Sequence, residues 1–90
     1  MTLQSKKASV TLLRRHHKVL FRNPKASVSM AELAQRIIAL NFVYEVLVGS
    51  CKEGFIAKVW FLPGKTPKYP SSYIAKYVSR DFGSIMKDIG

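Results

Sequence analysis

Arg14, Arg15, His16, His17 and Lys18 stand side by side in LLRRHHKVLFR, residues 12–22. Side chains of these types can do three kinds of chemistry. Imidazoles ligate metals, two of them beside an ammonium can cleave RNA by acid–base steps, and the whole group can neutralise phosphates. The spacing argues against metal. Neighbouring residues on a helix point about 100° apart and cannot share one ion. A zinc site needs three or four ligands, and Cys51 is the one cysteine, with no C-x-x-C or H-x-x-x-H anywhere. Cleavage of RNA is disfavoured too. No carboxylate stands near the histidines to orient a ring, and adjacent residues rarely flank one phosphate from opposite sides. There is no Gly-rich phosphate loop and no nucleophile elbow, and the five carboxylates are scattered over the chain. The expectation is a protein that is not an enzyme and uses no cofactor or metal, with the pentad contacting phosphates.

The charge balance supports that expectation. The 90 residues carry 15 Lys+Arg against 5 Asp+Glu, a net +10, and self-repulsion of that size points to a polyanionic partner. Lys6, Lys7, Arg14, Arg15, Lys18, Arg22 and Lys25 all precede the first acid, Glu32. Such an acid-free N-terminus resembles both a nucleic-acid arm and an organelle transit peptide. Lys65, Lys68 and Arg80 form a second basic group. His16 and His17 can add donors and charge beside phosphates, while Trp60 and Tyr69 are candidates for stacking bases or meeting a partner protein. The length allows one small domain at residues 9–90 behind a loose basic lead-in at 1–8. A lone cysteine gives no sign of a disulfide framework, and no apolar run has the length of a membrane span. These features fit an intracellular, soluble setting.

The elements that must position these residues read as follows. From Ser9, Val10, Leu13, Leu20 and Phe21 fall roughly on one face of a helix, which RNPKAS (22–27) breaks. SMAE (29–32) is a capping box opening a helix from Met30 to Leu40 that buries Leu33, Ala34, Ile37 and Ile38. FVYEVLV (42–48) and FIAKVWFL (55–62) are dense in β-branched and aromatic residues, and GSCKEG (49–54) between them is a turn. One face of this hairpin, with Phe42, Tyr44, Val46, Val48, Phe55, Ala57, Val59 and Phe61, is the expected core. The other carries Val43, Glu45, Leu47, Ile56, Lys58, Trp60 and Leu62, with Glu45 and Lys58 as a cross-strand pair. That second face is too apolar for plain solvent, so the C-terminal segment or something outside the chain covers it. PGKTPKYPSS (63–72) is an extended loop. Beyond it, Tyr73, Ala75 and Tyr77 alternate like a strand, whereas Ile74, Tyr77, Val78 and Ile85 fit a helix. The reading leans to a strand through Val78 and then a short irregular or helical end. The fold class is α+β: two N-terminal helices on an antiparallel hairpin or three-stranded sheet.

The quoted order resembles the N-terminal half of the small-subunit ribosomal protein eight family. In that family a helix leads to an R-N turn, a short strand, a second helix, a hairpin entered through G-F-I, and a V-S-R-P-G segment. Here RN (22–23), KASVSM (25–30), AELAQRIIALNFV (31–43), EGFI (53–56) and YVSRDFG (77–83) follow in that order over about 70 residues. The Pro-Ser-Ser-Lys approach to the second helix is missing, and so is the family's C-terminal half. The resemblance implies a reduced, ribosomal, rRNA-binding protein of a ribonucleoprotein assembly, with neighbouring proteins as further partners. Mitochondria are one compartment that would suit the transit-like N-terminus. A winged-helix DNA-binding regulator is the rival. NPKASVSMAELAQRI resembles its helical approach, which would make Asn41–Cys51 the recognition helix, although that stretch offers few donors or acceptors to base edges. A third class is a small interaction or phage-type inhibitor module that docks through its apolar hairpin face.

Overall fold

The computed structural model describes residues 15–88, with the backbone alone for 85–88. Strand β1 (His17–Arg22) leads to helix α1 (Met30–Ile38) and then the hairpin of β2 (Val43–Cys51) and β3 (Gly54–Phe61). A short helix α2 (Pro70–Ala75), a 3₁₀ turn (Arg80–Phe82) and strand β4 (Ser84–Asp88) complete the chain. The four strands form one antiparallel sheet in the order β2-β3-β1-β4. The class is α+β.

The core lies between one face of this sheet and the helices. Val19, Phe21, Val46, Ala57, Val59 and Phe61 from the strands meet Leu33 and Ile37 of α1 and Ile74, Val78 and Phe82 of the C-terminal segment. Helix α1 begins where the sequence asks it to. Ser29 Oγ accepts from the Glu32 amide at 3.2 Å, and Glu32 Oε1 accepts from the Ser29 amide at 3.1 Å. The helix buries Leu33 and Ile37 fully, but Ile38, expected inside, is exposed in its last turn.

Several expectations are corrected. The first N-terminal helix is a strand over the described part of its range, and residues 9–14 lie outside the described ones. Val19 and Phe21 are both 0% exposed. Two residues apart, they share a face only on a strand, where side chains alternate, and β3 supplies the pairing that a lone segment lacks. The short strand implied at KASVSM is instead a turn, closed by the Val28 amide donating to the Lys25 carbonyl at 3.1 Å. The hairpin turn contracts to Lys52–Glu53, because Cys51 and Gly54 are already paired. Residues 43–51 form a strand, so Asn41–Cys51 is no recognition helix; its β-branched residues suit the pleat better than a helix.

In β2 a bulge at Tyr44 separates the Val43–Phe61 pair from the Glu45–Trp60 pair. One extra residue shifts the alternation, so Val43 turns into the core. In the register set by the Lys52–Glu53 turn, Glu45 stands opposite Trp60 and Lys58 opposite Leu47, so the two are not directly paired across the strands.

The C-terminal assignment reverses. Pro70, Ile74 and Val78 fall four residues apart and are all buried, the pattern of a helix face. Pro70 in the first turn has its φ preset for the helix and lacks only an amide with no helical partner. The end of the chain, expected to be irregular or helical, is β4 on the edge of the sheet beside β1. The C-terminal helices pack on the core face, so no described part of that segment covers the sheet's other face.

Two glycines lock one end of the sheet. A Cβ on Gly54 (φ 151°) would collide with the Phe21 carbonyl oxygen and come within 2.8 Å of Pro24 Cδ. One on Gly83 (φ 111°) would lie 2.5 Å from the Arg22 carbonyl oxygen. By contrast, a Cβ on Gly49 meets nothing within 4 Å. Gly54→Ala is therefore expected to lose about 2 kcal/mol or more of stability. Gly49→Ala should be neutral or gain up to about 1 kcal/mol. Urea unfolding checks both, as a lowered midpoint at unchanged slope for Gly54→Ala only.

Candidate nucleic-acid interface

A pentad on a strand is a different object from a pentad on a helix. Successive side chains of β1 point to opposite faces, so residues contiguous in sequence part company. Lys6, Lys7 and Arg14 lie outside the described residues. Arg15 is exposed just before the strand. The His16 ring packs 5.1 Å from the Trp60 ring, tilted by 51°. His17 turns the other way and meets the edge of Phe61 at 5.6 Å. The two imidazoles therefore work on opposite sides of the sheet. No group of three metal-ligating side chains occurs among the described residues.

Lys18 returns to the outer face and stands directly opposite Lys58 in the β1–β3 register. No described carboxylate forms an ion pair with either ammonium. Beside them lies a shallow groove of about 320 Å³ lined by Leu47, Val48, Gly49, Ile56 and Lys58. The field is felt by His16, whose pKa is held below its usual value of 6.5, first by partial burial and then by Lys58, Lys18 and His17. This face thus offers two cations without a carboxylate partner among the described residues, beside an imidazole whose pKa is lowered, which is chemistry for an anion.

Lys58 was read from sequence as the partner of Glu45; its place opposite Lys18 depends on a β1 strand the apolar pattern did not reveal. Trp60, proposed for stacking, is only 4% exposed, so its ring faces are not open to a base. It stands on the outer side of the sheet and is not part of the main core cluster.

At the other end of the sheet three segments meet. The Asn23 amide donates to the Glu53 carbonyl at 3.1 Å, and the Lys25 amide donates to the Asp81 carbonyl at 2.8 Å. Asn23 takes a left-handed conformation (φ 55°) that asparagine tolerates well. These contacts gather the RN turn, the hairpin tip and the SRDFG segment, with Arg22, Lys25, Lys52 and Arg80 all exposed. Lys25 is partly answered by Asp81, its Nζ lying 2.9 Å from Oδ1 in a surface pair worth at most about 1 kcal/mol. Arg80 borders a depression of about 390 Å³ with Ala75, Val78, Gly83 and Ser84.

Lys65 and Lys68 belong to neither group. They lie on the loop after β3, their ammoniums 5.8 Å from the Phe42 ring centre and 5.6 Å from that of Tyr69. Tyr69 itself is 63% exposed. The described cations among those singled out in the sequence therefore form separate surfaces rather than one clamp. No protein-family model, curated protein or solved structure matches the chain. No described helix is long and apolar enough to cross a membrane.

The His16 environment makes a prediction about pH. Its folded pKa is depressed, so between that value and 6.5 the unfolded chain binds more protons than the folded one. Its stabilising contribution is present above pH 6.5 and is lost as pH falls through the window below. Thermal unfolding from pH 7.5 to 5 should show a smaller acid loss for His16→Gln than for the wild type. Equal losses would mean that the imidazole does not feel the two lysines.

Proposed function

We propose that this chain is a structural RNA-binding protein, a non-enzymatic component of a ribonucleoprotein. The observation that carries the reading is the in-register pair Lys18 and Lys58 on the outer face of the sheet, without a described carboxylate partner. Like charges directly opposite one another are destabilising by a few tenths of a kcal/mol up to about 1 kcal/mol. A phosphate between them converts that repulsion into attraction and releases counterions. Arg22, Lys52 and Arg80 add a second contact at the end of the sheet, and Arg15 extends the first.

RNA is favoured over duplex DNA on chemical grounds. With 43–51 a strand, no described helix stands ready for the major groove in the way the winged-helix reading required. Helix α1 spends its apolar face on the core. Basic side chains spread over an uneven surface suit the backbone of a folded RNA, which is recognised by shape and phosphates.

The more specific reading, an rRNA-binding component of the ribosomal small subunit, rests on the resemblance stated above. Its RN, EGFI and SRDFG segments are neighbours at one end of the sheet. The strand where that family has its first helix is a departure from it. Neighbouring proteins of the assembly would meet the apolar part of the hairpin face around the exposed Leu47.

The test is binding to a structured RNA, duplex DNA and single-stranded DNA across a salt series. The structured RNA is expected to bind best, with a steep log–log salt slope. Lys18→Ala/Lys58→Ala should flatten that slope by about 0.7–0.9, the worth of the one phosphate held between them. Preference for duplex DNA would overturn the RNA reading, and absence of binding at physiological salt would turn the search to a protein partner.

A further inference from the structure

Tyr69, which caps α2, Tyr73 within it and Tyr77 two residues past its end recur every four residues. Hydrogen bonds from the Tyr73 amide to the Tyr69 carbonyl (3.0 Å) and from the Val78 amide to the Ile74 carbonyl (3.1 Å) join both ends to the helical path. Residues so spaced line one face. Pro70, Ile74 and Val78, each one position further on and about 100° around the helix, are spent on the core. Tyr73 packs beside them against the core, while Tyr69 and Tyr77, which flank it in sequence, stand exposed. Tyr69 is 63% exposed and Tyr77 58%. Tyr73 between them is held firmly. Its ring lies parallel to Phe42 at 5.1 Å (5° between planes), and its hydroxyl accepts from the Phe42 amide at 3.4 Å. Tyr77 in turn packs edge-on against Tyr73 at 5.4 Å.

In the sequence that carries the row the charge is of one sign. From Gly54 to Arg80 the sequence contains no Asp or Glu. Lys65 and Lys68 already sit against aromatic rings at its edge, and Lys76 is exposed between Tyr73 and Tyr77.

We propose that this tyrosine row is a stacking platform for unpaired nucleobases of a single-stranded RNA segment, with Lys65, Lys68 and Lys76 on its phosphates. The proposal rests on the RNA-binding reading and names the part of the RNA that α2 takes. A duplex would engage the lysines but keep its bases hidden. An acidic peptide would satisfy the lysines and leave the tyrosine faces without a planar partner. Only an unpaired strand presents π-faces and phosphates together. Packing of Tyr77 on the anchored Tyr73 restricts its ring before binding, which lowers the ordering cost.

The test compares wild type, Tyr69→Leu/Tyr77→Leu and Tyr69→Phe/Tyr77→Phe on a single-stranded oligouridine, a blunt RNA duplex and a poly-glutamate peptide. Both tyrosines are exposed, so thermal unfolding should be little changed in either variant, and it serves as the folding control. The Leu variant is expected to lose about 5- to 100-fold in affinity for the single strand, with duplex binding unchanged. The Phe variant should retain the wild-type affinity. If the Leu variant bound the single strand like wild type while the protein still bound RNA elsewhere, the platform would be refuted and the RNA-binding reading would stand. Loss of peptide binding alone in the Leu variant would make the row a protein-docking surface and overturn the proposal. Failure of the wild type to bind any RNA would overturn both readings.

Discussion

The pairing of β1 with β3 sets the rest of the molecule. Val19 and Phe21 must reach the core opposite Ala57 and Phe55, and burying a Val or Phe side chain is worth about 1.5–3 kcal/mol each. A one-residue slip would carry both to the outer face and lose that burial. The same register sends Lys18 outward to stand opposite Lys58, at a cost of no more than about 1 kcal/mol. The apolar gain exceeds the repulsion, so the core holds two cations together on the outer face of the sheet. That Lys18 and Lys58 face one another on the outer side is therefore a consequence of how the core closes.

The opposite layer follows from the same sheet. Helix α1 covers the β2 side through Leu33 and Ile37, while Ile74, Val78 and Phe82 fill the β1–β4 side of the same face. At the far end Gly54 and Gly83 let the hairpin tip and the C-terminal segment close on the backbone of residues 21–24. Basic residues distant in sequence become neighbours there because two backbones approach where no side chain fits. On the proposed RNA-binding reading, cations on separated surfaces would touch an RNA at several points, each contact modest and all of them sensitive to salt.

How much of this was legible in the sequence depends on the range of the interaction involved. Local signals were readable. The Ser29–Glu32 box gave the start of α1, and the dense β-branched runs gave the hairpin. Longer-range pairing was not readable. In residues 17–22 the apolar positions are too few to separate a helix from a strand, and β3 decides the matter. The bulge at Tyr44 leaves no mark in an apolar run, yet it moves Val43 inward, and Trp60 rather than Lys58 stands opposite Glu45 because the turn is only two residues long. In α2 the tyrosines mimic a strand because Tyr73, Ala75 and Tyr77 alternate, although Tyr73 and Tyr77 also share a helix face. The same limits applied to the candidate site. Its cations were visible as a composition, but Lys58 as the neighbour of Lys18, and Tyr73 and Tyr77 as a row with Tyr69, follow only from register and helical phase.

The central claim is that the outer face of the sheet receives RNA. The most direct measurement follows backbone amide chemical shifts of the ¹⁵N-labelled protein as a structured RNA is titrated in at physiological salt. The account predicts the largest changes at His16, Lys18 and Lys58, with the exposed side of α1 at Glu32, Gln35 and Arg36 left unmoved. Changes confined to α1, or none at any residue, would contradict it.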